Sequence, residues 1–144
     1  MNIVIRKITV EDSVAVASLS LELGYHLSAP ETAMQIQEIQ GSPGNCALVA
    51  LYKEKVIGWI HAFKSARIET KTFIEIGGLV IDKNFRDKGV GSALVNKIKE
   101  WCTEQKIISL RVRCNTKRSE AHRFYGNLGF EESKEQKVFQ QDVL

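Results

Sequence analysis

The chain has 144 residues, 44% of them hydrophobic and 26% charged, with a net charge of +3 and a sequence pI near 8.8. This length suits one domain with a sizeable core, so we expect residues 1–144 to form a single domain. The 20 basic residues are interspersed with 17 acidic ones. Such a balance argues against a basic nucleic-acid-binding tail and is compatible with a polyanionic small ligand.

The cysteines and the amino terminus indicate the compartment. Cys46, Cys102 and Cys114 are odd in number and far apart, which argues against a disulfide framework and a zinc site. The first residues, MNIVIRKI, lack the apolar core of a signal peptide, and no run reaches membrane-spanning length. We therefore expect a reduced, cytoplasmic protein without a metal, a membrane partner or a nucleic-acid partner.

The first forty residues predict a strand followed by two helices. Residues 3–8 alternate in the manner of a strand, and a first helix with apolar residues at helical spacing ends at Gly24. Ser28 and Glu31 form a capping box at the start of a second helix, which extends to about Gln40.

The middle of the chain predicts an antiparallel hairpin and a third long strand. Residues 46–52 and 56–63 are rich in β-formers, and the turn 53–55 separates them. A polar loop at 64–71 leads into the apolar run 73–82. This run is too short for a core helix, so it predicts a strand.

Residues 74–102 are the part of the sequence around which the rest is organised. The strand enters a charged turn, Arg-Asp-Lys-Gly-Val-Gly at 86–91, and a helix follows. Apolar residues of this helix fall three or four apart on one face, at Val90, Leu94, Ile98 and Trp101. Glycines let a ligand approach the main chain, and a helix start presents unpaired N–H groups and the positive end of its dipole. The turn therefore favours an anion site suited to a phosphate or pyrophosphate.

The last third of the chain alternates strands and helices. Residues 107–113 predict a half-buried strand, and a short helix begins at Ser119 and ends at Gly129. Residues 130–132 and 137–140 are expected to add terminal strands. The order of elements predicts a mixed α+β fold with one parallel crossover, not a doubly wound sheet.

The turn at 86–91 matches neither a Walker loop nor a dinucleotide-binding fingerprint, but Arg-x-x-Gly-x-Gly between a strand and a helix resembles the acyl-CoA pyrophosphate loop of the GNAT acetyltransferases. A second stretch at 114–130, CNTKRSEAHRFYGNLGF, is similar to the other half of that family's acyl-CoA site. Other segments, including VIGWI and KVFQQDV, resemble small bacterial members. The resemblance implies the GNAT fold, a twisted, mainly antiparallel mixed sheet flanked by helices. It also implies a splay between the fourth and fifth strands, here 73–82 and 107–113.

The resemblance also implies acetyl-CoA as cosubstrate. Main-chain N–H groups of the turn would hold the pyrophosphate, and basic side chains would screen its charge; the residues are Arg86, Asp87, Lys88, Gly89, Val90, Gly91 and Ser92. The pantetheine arm would pair with the edge of Leu79, Val80 and Ile81 and contact Asn115. Arg118 is expected to meet the CoA 3′-phosphate or to be solvated. A bulge at Gly77-Gly78 would aim a main-chain N–H, that of Leu79, at the thioester oxygen.

Two residues are candidates for proton transfer. By resemblance, Tyr125 is the general acid that protonates the departing CoA thiolate. Glu75 is the candidate base for the amine, and the alternatives are a water chain or a solvated carboxylate, because alternation does not fix the face that Glu75 occupies.

These observations favour an acetyl-CoA-dependent N-acetyltransferase that moves an acetyl group directly to a primary amine of a small molecule. The alternatives are a noncatalytic acyl-CoA-binding module, a protein lysine or N-terminal acetyltransferase, and a basic nucleic-acid-binding domain. The motifs do not name the acceptor. A homodimer is a common arrangement in the family that the chain resembles.

Overall fold

The computed structural model describes residues 1–114 and 116–144 of the chain. It divides into two compact units, Met1–Val112 and Arg113–Leu144, which are described separately below. Among the residues described, no helix is both long enough and apolar enough to cross a membrane. Asn115, one of the predicted pantetheine contacts, lies outside the described residues.

The first unit is a five-stranded sheet with helices packed against it. Its elements are β1 (Ile3–Lys7), α1 (Ser13–Leu21), α2 (Ala29–Gln40), β2 (Asn45–Tyr52), β3 (Lys55–Ser65), β4 (Phe73–Ile81), α3 (Val90–Glu104) and β5 (Leu110–Val112). The strands lie in the order β1-β2-β3-β4-β5. The first three pairings are antiparallel and the pairing of β4 with β5 is parallel. The predicted mixed, mainly antiparallel fold is therefore confirmed.

Local signals explain where several of these elements begin and turn. Ser28 caps α2 as predicted, because Ser28 Oγ accepts from the Glu31 N–H at 3.2 Å and Glu31 Oε1 accepts from the Ser28 N–H at 3.0 Å. The β2–β3 hairpin turns at Lys53 and Glu54, whose φ angles are +48° and +67°. Two left-handed residues make the tight turn whose twist matches that of the strands on either side.

The two faces of the sheet carry different helices. Val16 and Leu19 of α1 share a buried cluster with Val49 and Val80 of the sheet. On the opposite face lies α3, whose Leu94 Cδ1 would be 3.6 Å from a Cβ placed on Gly58. We call the face on which α1 packs the α1 face. Cross-strand register and strand alternation place on it a row of side chains used below, namely Asn45, Trp59, His61, Phe63 and Glu75.

The sheet splays between its fourth and fifth strands. Pairing of β4 with β5 covers only Ile74–Ile76 against Leu110–Val112, whereas β4 continues to Ile81. The strand is thus shorter than the predicted 107–113: at one end the Ile107 N–H still donates to the Cys102 carbonyl of α3, and at the other the pairing ends at Val112, opposite Ile76. In the part of the chain that the structure describes, residues 78–81 pair with β3 on one side and with no strand on the other.

Among its described residues, the second unit contains one helix, α4 (Ser119–Asn127), followed by a tail without regular secondary structure. Gly129 follows the helix with φ of +90°, as expected for a glycine that ends a helix. The prediction of terminal strands at 130–132 and 137–140 is wrong, because residues 130–144 form neither helix nor strand. Residues 131–144 are all exposed, and a strand is stable only when it pairs with another and buries a face.

Candidate active site

Gly89, just before α3, is exposed to solvent, whereas Val90 and Gly91 of the first turn are buried. Gly89 precedes the helix with φ of +83°, and no atom lies within 4 Å of the position that a Cβ would occupy there. The first intrahelical bond near this end runs from the Ala93 N–H to the Gly89 carbonyl at 3.0 Å, and no side chain caps the helix. The N–H groups of the first turn, at Val90, Gly91 and Ser92, therefore lack a side-chain cap and follow directly on the exposed Gly89.

Hydrogen bonds hold the turn that leads to this helix. Asp82 is buried, and its Oδ1 accepts from the Asn84 N–H at 2.9 Å. Its own N–H donates to the Ile57 carbonyl at 2.8 Å, which ties the end of β4 to β3. The Arg86 Nε donates to the Ile81 carbonyl at 3.3 Å, so the guanidinium lies at the end of the strand. These bonds thus anchor the turn to β3 and to the end of β4.

The surroundings of the turn are positively charged. Arg86 and Lys88 are exposed, and the Lys88 Nζ lies 5.7 Å from the centroid of the Phe85 ring. Asp87, between them, has φ of +61°, which an aspartate tolerates better than most residues. Two cations, a helix N-terminus and an open glycine together suit an anionic group, so the residues present fit a pyrophosphate.

The predicted contacts of the CoA arm in the first unit form one continuous strip. Leu79, Val80 and Ile81 end β4, the turn follows at once, and α3 begins at Val90. The open edge of β4 therefore runs directly into the turn. The structure brings together all of the predicted cofactor contacts from Leu79 to Ser92.

A bulge interrupts β4 where the sheet begins to splay. Gly78 pairs with His61 and Ile76 pairs with Ala62, so Gly77 is the extra residue. The predicted bulge is confirmed. A Cβ on Gly77 would lie 3.1 Å from Phe63 Cε1, and one on Gly78 would lie 2.6 Å from the ring of Trp59. Both glycines thus face side chains of the α1 face, and they leave room for those rings.

The register also decides the face of Glu75. Glu75 pairs with Phe63 of β3 and with Arg111 of β5, and paired residues share a face. It therefore lies on the α1 face, half-buried, close to the bulge. The Arg111 guanidinium stacks over the buried Phe73 ring at 3.8 Å, which brings a cation to the same part of the sheet.

The sequence did not predict any role for His61. The ring is half-buried, its Nε2 lies 2.8 Å from Asn45 Oδ1, and burial lowers its pKa from the ordinary value. Alternation along β3, with Trp59, His61 and Phe63 two apart, is the one signal that could have placed it on this face.

The second unit holds the predicted acid. Tyr125 is 9% exposed, and its ring meets Phe124 and Phe130 edge to face at 5.0 and 5.4 Å. Burial, with a smaller contribution from the neighbouring Cys114 thiol, raises the pKa of Tyr125 to about 12. The phenol therefore keeps its proton throughout the neutral range. Arg118, in the same unit, is exposed just before α4.

The three cysteines were also candidates for a special role. Cys46, Cys102 and Cys114 are free thiols, and burial raises the pKa of each. Within residues 1–114 and 116–144, no three histidine, cysteine or acidic side chains are grouped as metal ligands.

Comparison with known proteins identifies the family. Residues 14–130 match the model of the acetyltransferase (GNAT) family. The chain is 31% identical over 88 residues to an N-acetylaspartate synthetase of Xenopus tropicalis, a match that covers 61% of this chain and 31% of that protein. It therefore spans about a third of the length of this curated relative.

Solved structures share the fold. A protein described as a transcriptional regulator of Bacillus halodurans superposes with a TM-score of 0.88 at 21% identity, covering 97% of this chain and 100% of that one. The acetyltransferase AAC(6')-Iy, solved with the bisubstrate analogue CoA-S-monomethyl-acetylneamine, gives a TM-score of 0.87 at 16% identity over 99% of this chain and 100% of that one. With the strand order, the splay and the family match over most of its length, the chain belongs to the GNAT acetyltransferase family.

Proposed function

We propose that the protein is an acetyl-CoA-dependent N-acetyltransferase that moves an acetyl group directly to a primary amine of a small molecule. The observation that carries this proposal is the strip from the open edge of β4 to the uncapped start of α3. At one end it offers main-chain hydrogen bonds to an extended chain, which suits the pantetheine arm of an acyl-CoA. At the other end it offers an anion site, which suits the pyrophosphate.

The residues of the turn divide the work of holding the pyrophosphate. The N–H groups from Asp87 to Ser92 would donate to its oxygens, and the open position at Gly89 lets those oxygens come close. Arg86 and Lys88 are exposed and would offset its negative charge. Arg118, Asn115 and Tyr125 stay as predicted contacts contributed by the second half of the chain.

The open edge of β4 suits the pantetheine arm. Pantetheine contains amide groups, and Leu79–Ile81 would pair with them as an added strand would. The bulge at Gly77 precedes this segment, and the Leu79 N–H is the donor proposed for the thioester oxygen. Acetyl-CoA, when bound there, supplies the activated acetyl group.

The chain's own groups would then manage two protons. The acceptor amine is mostly protonated at neutral pH and must lose a proton before attack, for which the sequence predicts Glu75 or a water chain as the recipient. Tyr125 is the proposed donor to the CoA sulfur. A phenol with a pKa of about 12 is fully protonated at neutral pH, as a donor must be.

Calorimetry with CoA and a thiol-release assay with acetyl-CoA test the proposal. The amine panel should include L-aspartate, neamine, spermidine and a lysine peptide, since relatives with matching sequence or fold are named for the first two chemistries. CoA binding with turnover of a small amine supports the proposal. CoA binding without turnover of any amine would indicate a noncatalytic module. Turnover of the peptide alone would indicate a protein acetyltransferase. No binding of CoA would refute the proposal.

A Tyr125→Phe variant tests the assigned acid within the same assay. It keeps the ring contacts with Phe124 and Phe130 and removes only the hydroxyl. Because a thiolate with a pKa near 8.5 departs without full protonation, kcat should fall by roughly 10- to 100-fold with little change in CoA affinity. Unchanged kcat would remove Tyr125 from the mechanism and leave the acetyltransferase proposal standing.

We further propose that the enzyme works in the cytoplasm, where acetyl-CoA and reduced thiols are both at hand. A homodimer stays a prediction from the family resemblance. Sedimentation of the purified chain measures it directly.

A further inference from the structure

Asn45 and Ser42 orient the imidazole of His61. The Asn45 side chain donates from Nδ2 to the Ser42 carbonyl oxygen at 3.2 Å. This bond directs the amide oxygen, Oδ1, to His61 Nε2 at 2.8 Å. An amide oxygen only accepts hydrogen bonds, so Nε2 must carry the hydrogen. In the neutral ring, Nδ1 is then the nitrogen with the free lone pair.

The bulge places an exposed glycine next to that nitrogen. A Cβ on Gly77 would lie 3.4 Å from His61 Nδ1 and 3.1 Å from Phe63 Cε1, so the space beside Nδ1 is narrow and is left open only because residue 77 has no side chain. Gly77 is the extra residue of the bulge, immediately before the segment assigned to the thioester and the pantetheine arm. The lone pair therefore lies beside the point where an amine would approach the acetyl group.

We propose that His61 Nδ1 accepts the proton of the acceptor amine, with Asn45 and the Ser42 carbonyl as positioning groups that fix its tautomer. The proposal rests on the acetyltransferase function proposed above. It assigns the base to β3, whereas the sequence pointed to Glu75 on β4.

Few ionisable groups face this imidazole. α1, which packs on the same face, carries none in Ser13–Leu21. On β2 and β3, Cys46 and Lys64 neighbour residues of the α1 face in sequence, so their side chains lie on the other one. From β4 comes Glu75, whose register partner on β5 is Arg111. β1 adds Arg6, opposite Val49, which donates to Asp12. α2 also packs on this face, and its carboxylates, Glu31 and Glu38, are exposed. Burial is the cause that lowers the pKa of His61, so the ring stays neutral at neutral pH.

The proton balance is simple. The amine nitrogen forms a bond to the carbonyl carbon while the carbon–sulfur bond breaks and its electron pair leaves with sulfur. The nitrogen becomes strongly acidic as its new bond forms, and its proton passes to Nδ1. Sulfur receives a proton from the acid, the acid regains one from solvent, and the imidazolium returns its proton to solvent. Starting from the neutral amine, these steps give an amide and a thiol with no net change in protons. Because the ammonium form first loses one proton to solvent to free its lone pair, an ammonium and a thioester give an amide, a thiol and one free proton overall.

Nitrogen-15 NMR of the CoA-free protein tests the tautomer without any activity. The chain has three histidines, and the His61→Gln spectrum assigns the signals of the ring. We expect the Nε2-protonated tautomer in the wild type and a mixture of tautomers in Asn45→Ala. An Nδ1-protonated ring would overturn the proposal, whatever the fate of the acetyltransferase function, which CoA binding and turnover by the wild type decide separately.

The pH dependence of kcat/KM, measured with the panel amine that turns over fastest, tests the role. Protonation removes the lone pair, so activity should fall on the acid side, with a midpoint below the ordinary histidine value of about 6.5. In His61→Gln this fall on the acid side, the acid limb of the profile, should disappear, and kcat/KM should drop by about 10²-fold or more. Asn45→Asp places a negative charge beside Nε2–H, which favours the imidazolium, and should move the limb up by roughly one pH unit.

One variant serves as a control, and a second tests the rival base. His26→Gln changes an exposed histidine and is the control, which should keep the wild-type profile. Glu75→Gln tests the rival base, and the fall in activity on the acid side should persist in it if His61 is the base, whatever the change in its rate. Loss of the limb in Glu75→Gln, or wild-type kcat/KM in His61→Gln, would each overturn the assignment.

Discussion

The turn at Gly89 and the bulge at Gly77-Gly78 both use glycine, for opposite physical reasons. At Gly89 the space around the missing Cβ is empty and the backbone is left-handed, with φ of +83°. At Gly78 the backbone is not left-handed, but the ring of Trp59 lies 2.6 Å from the missing Cβ. Gly89 allows the left-handed backbone of the turn and leaves room for a ligand. Gly78 leaves room for the ring of Trp59.

This difference separates the two ends of the proposed site. An open, left-handed position suits an anion that must reach main-chain N–H groups, and because glycine adopts this conformation freely it costs the fold little. A crowded position fixes the rings of the α1 face beside the bulge, where atoms must be placed accurately for chemistry. Alanine substitutions therefore distinguish the two, because one methyl group meets backbone strain at the turn and steric overlap at the bulge.

Gly78→Ala should destabilise the protein most. The indole of Trp59 cannot move away freely, since its Nε1 donates to Ser20 Oγ at 3.1 Å. Overpacking at a rigid contact typically costs about 1–3 kcal/mol, and we expect the upper part of this range in urea unfolding.

A double-mutant cycle with Trp59→Phe shows whether overlap is the cause. Phenylalanine lacks the outer indole atoms, Cη2 and Cζ3, that approach Gly78. Gly78→Ala should then cost clearly less in the Trp59→Phe background. Equal costs in both backgrounds would contradict the steric account.

Gly89→Ala should have an intermediate effect on stability and a clear effect on CoA. A left-handed φ costs an L-residue roughly 1–2 kcal/mol, and the new methyl group occupies the space through which the pyrophosphate reaches the first-turn N–H groups. We expect a matching loss in the free energy of unfolding, and about a tenfold or larger rise in the Kd of CoA by calorimetry.

Gly24→Ala is the matched control. Gly24 has φ of +86°, again with no atom within 4 Å of a Cβ, and it follows α1 rather than the turn. It should lose similar stability and keep the CoA affinity of the wild type. Equal CoA affinity in the two variants would mean that Gly89 is structural only.

The sequence predicted these two regions unequally. The strand, the turn and α3 are consecutive in the chain, so hydrophobic period and glycine spacing were enough to predict the anion site. The capping box at Ser28 was predictable for the same local reason. The terminal strands failed because apolar residues such as Val138 and Phe139 suggest strands locally, whereas only a pairing partner makes one.

The His61 pair was beyond sequence reasoning because it depends on register. An uninterrupted hairpin from Tyr52 and Lys55 would place Asn45 opposite Ala62. A bulge between Ala50 and Leu51 shifts the pairing by one residue, so Asn45 lies opposite Phe63, on the face of His61. The face of Glu75 depended on register in the same way, and periodicity alone could not have decided it.

Gly77→Ala should change stability least, and it connects the comparison to the chemistry. Its Cβ would lie 3.1 Å from Phe63 Cε1, at the end of a half-buried side chain that can move slightly. Its φ is not left-handed, so alanine also restricts the unfolded chain, which offsets the crowding. The free energy of unfolding should stay within about 0.5 kcal/mol of the wild type.

The same methyl group on residue 77 would stand 3.4 Å from His61 Nδ1, in the path of the amine. We therefore expect kcat/KM to fall by roughly tenfold or more, while Gly41→Ala, outside the site with φ of −81°, keeps the wild-type value. Steady-state kinetics and urea unfolding of the same two variants measure both effects. A Gly77→Ala protein with full stability and full activity would show that the space beside Nδ1 is not where the amine approaches.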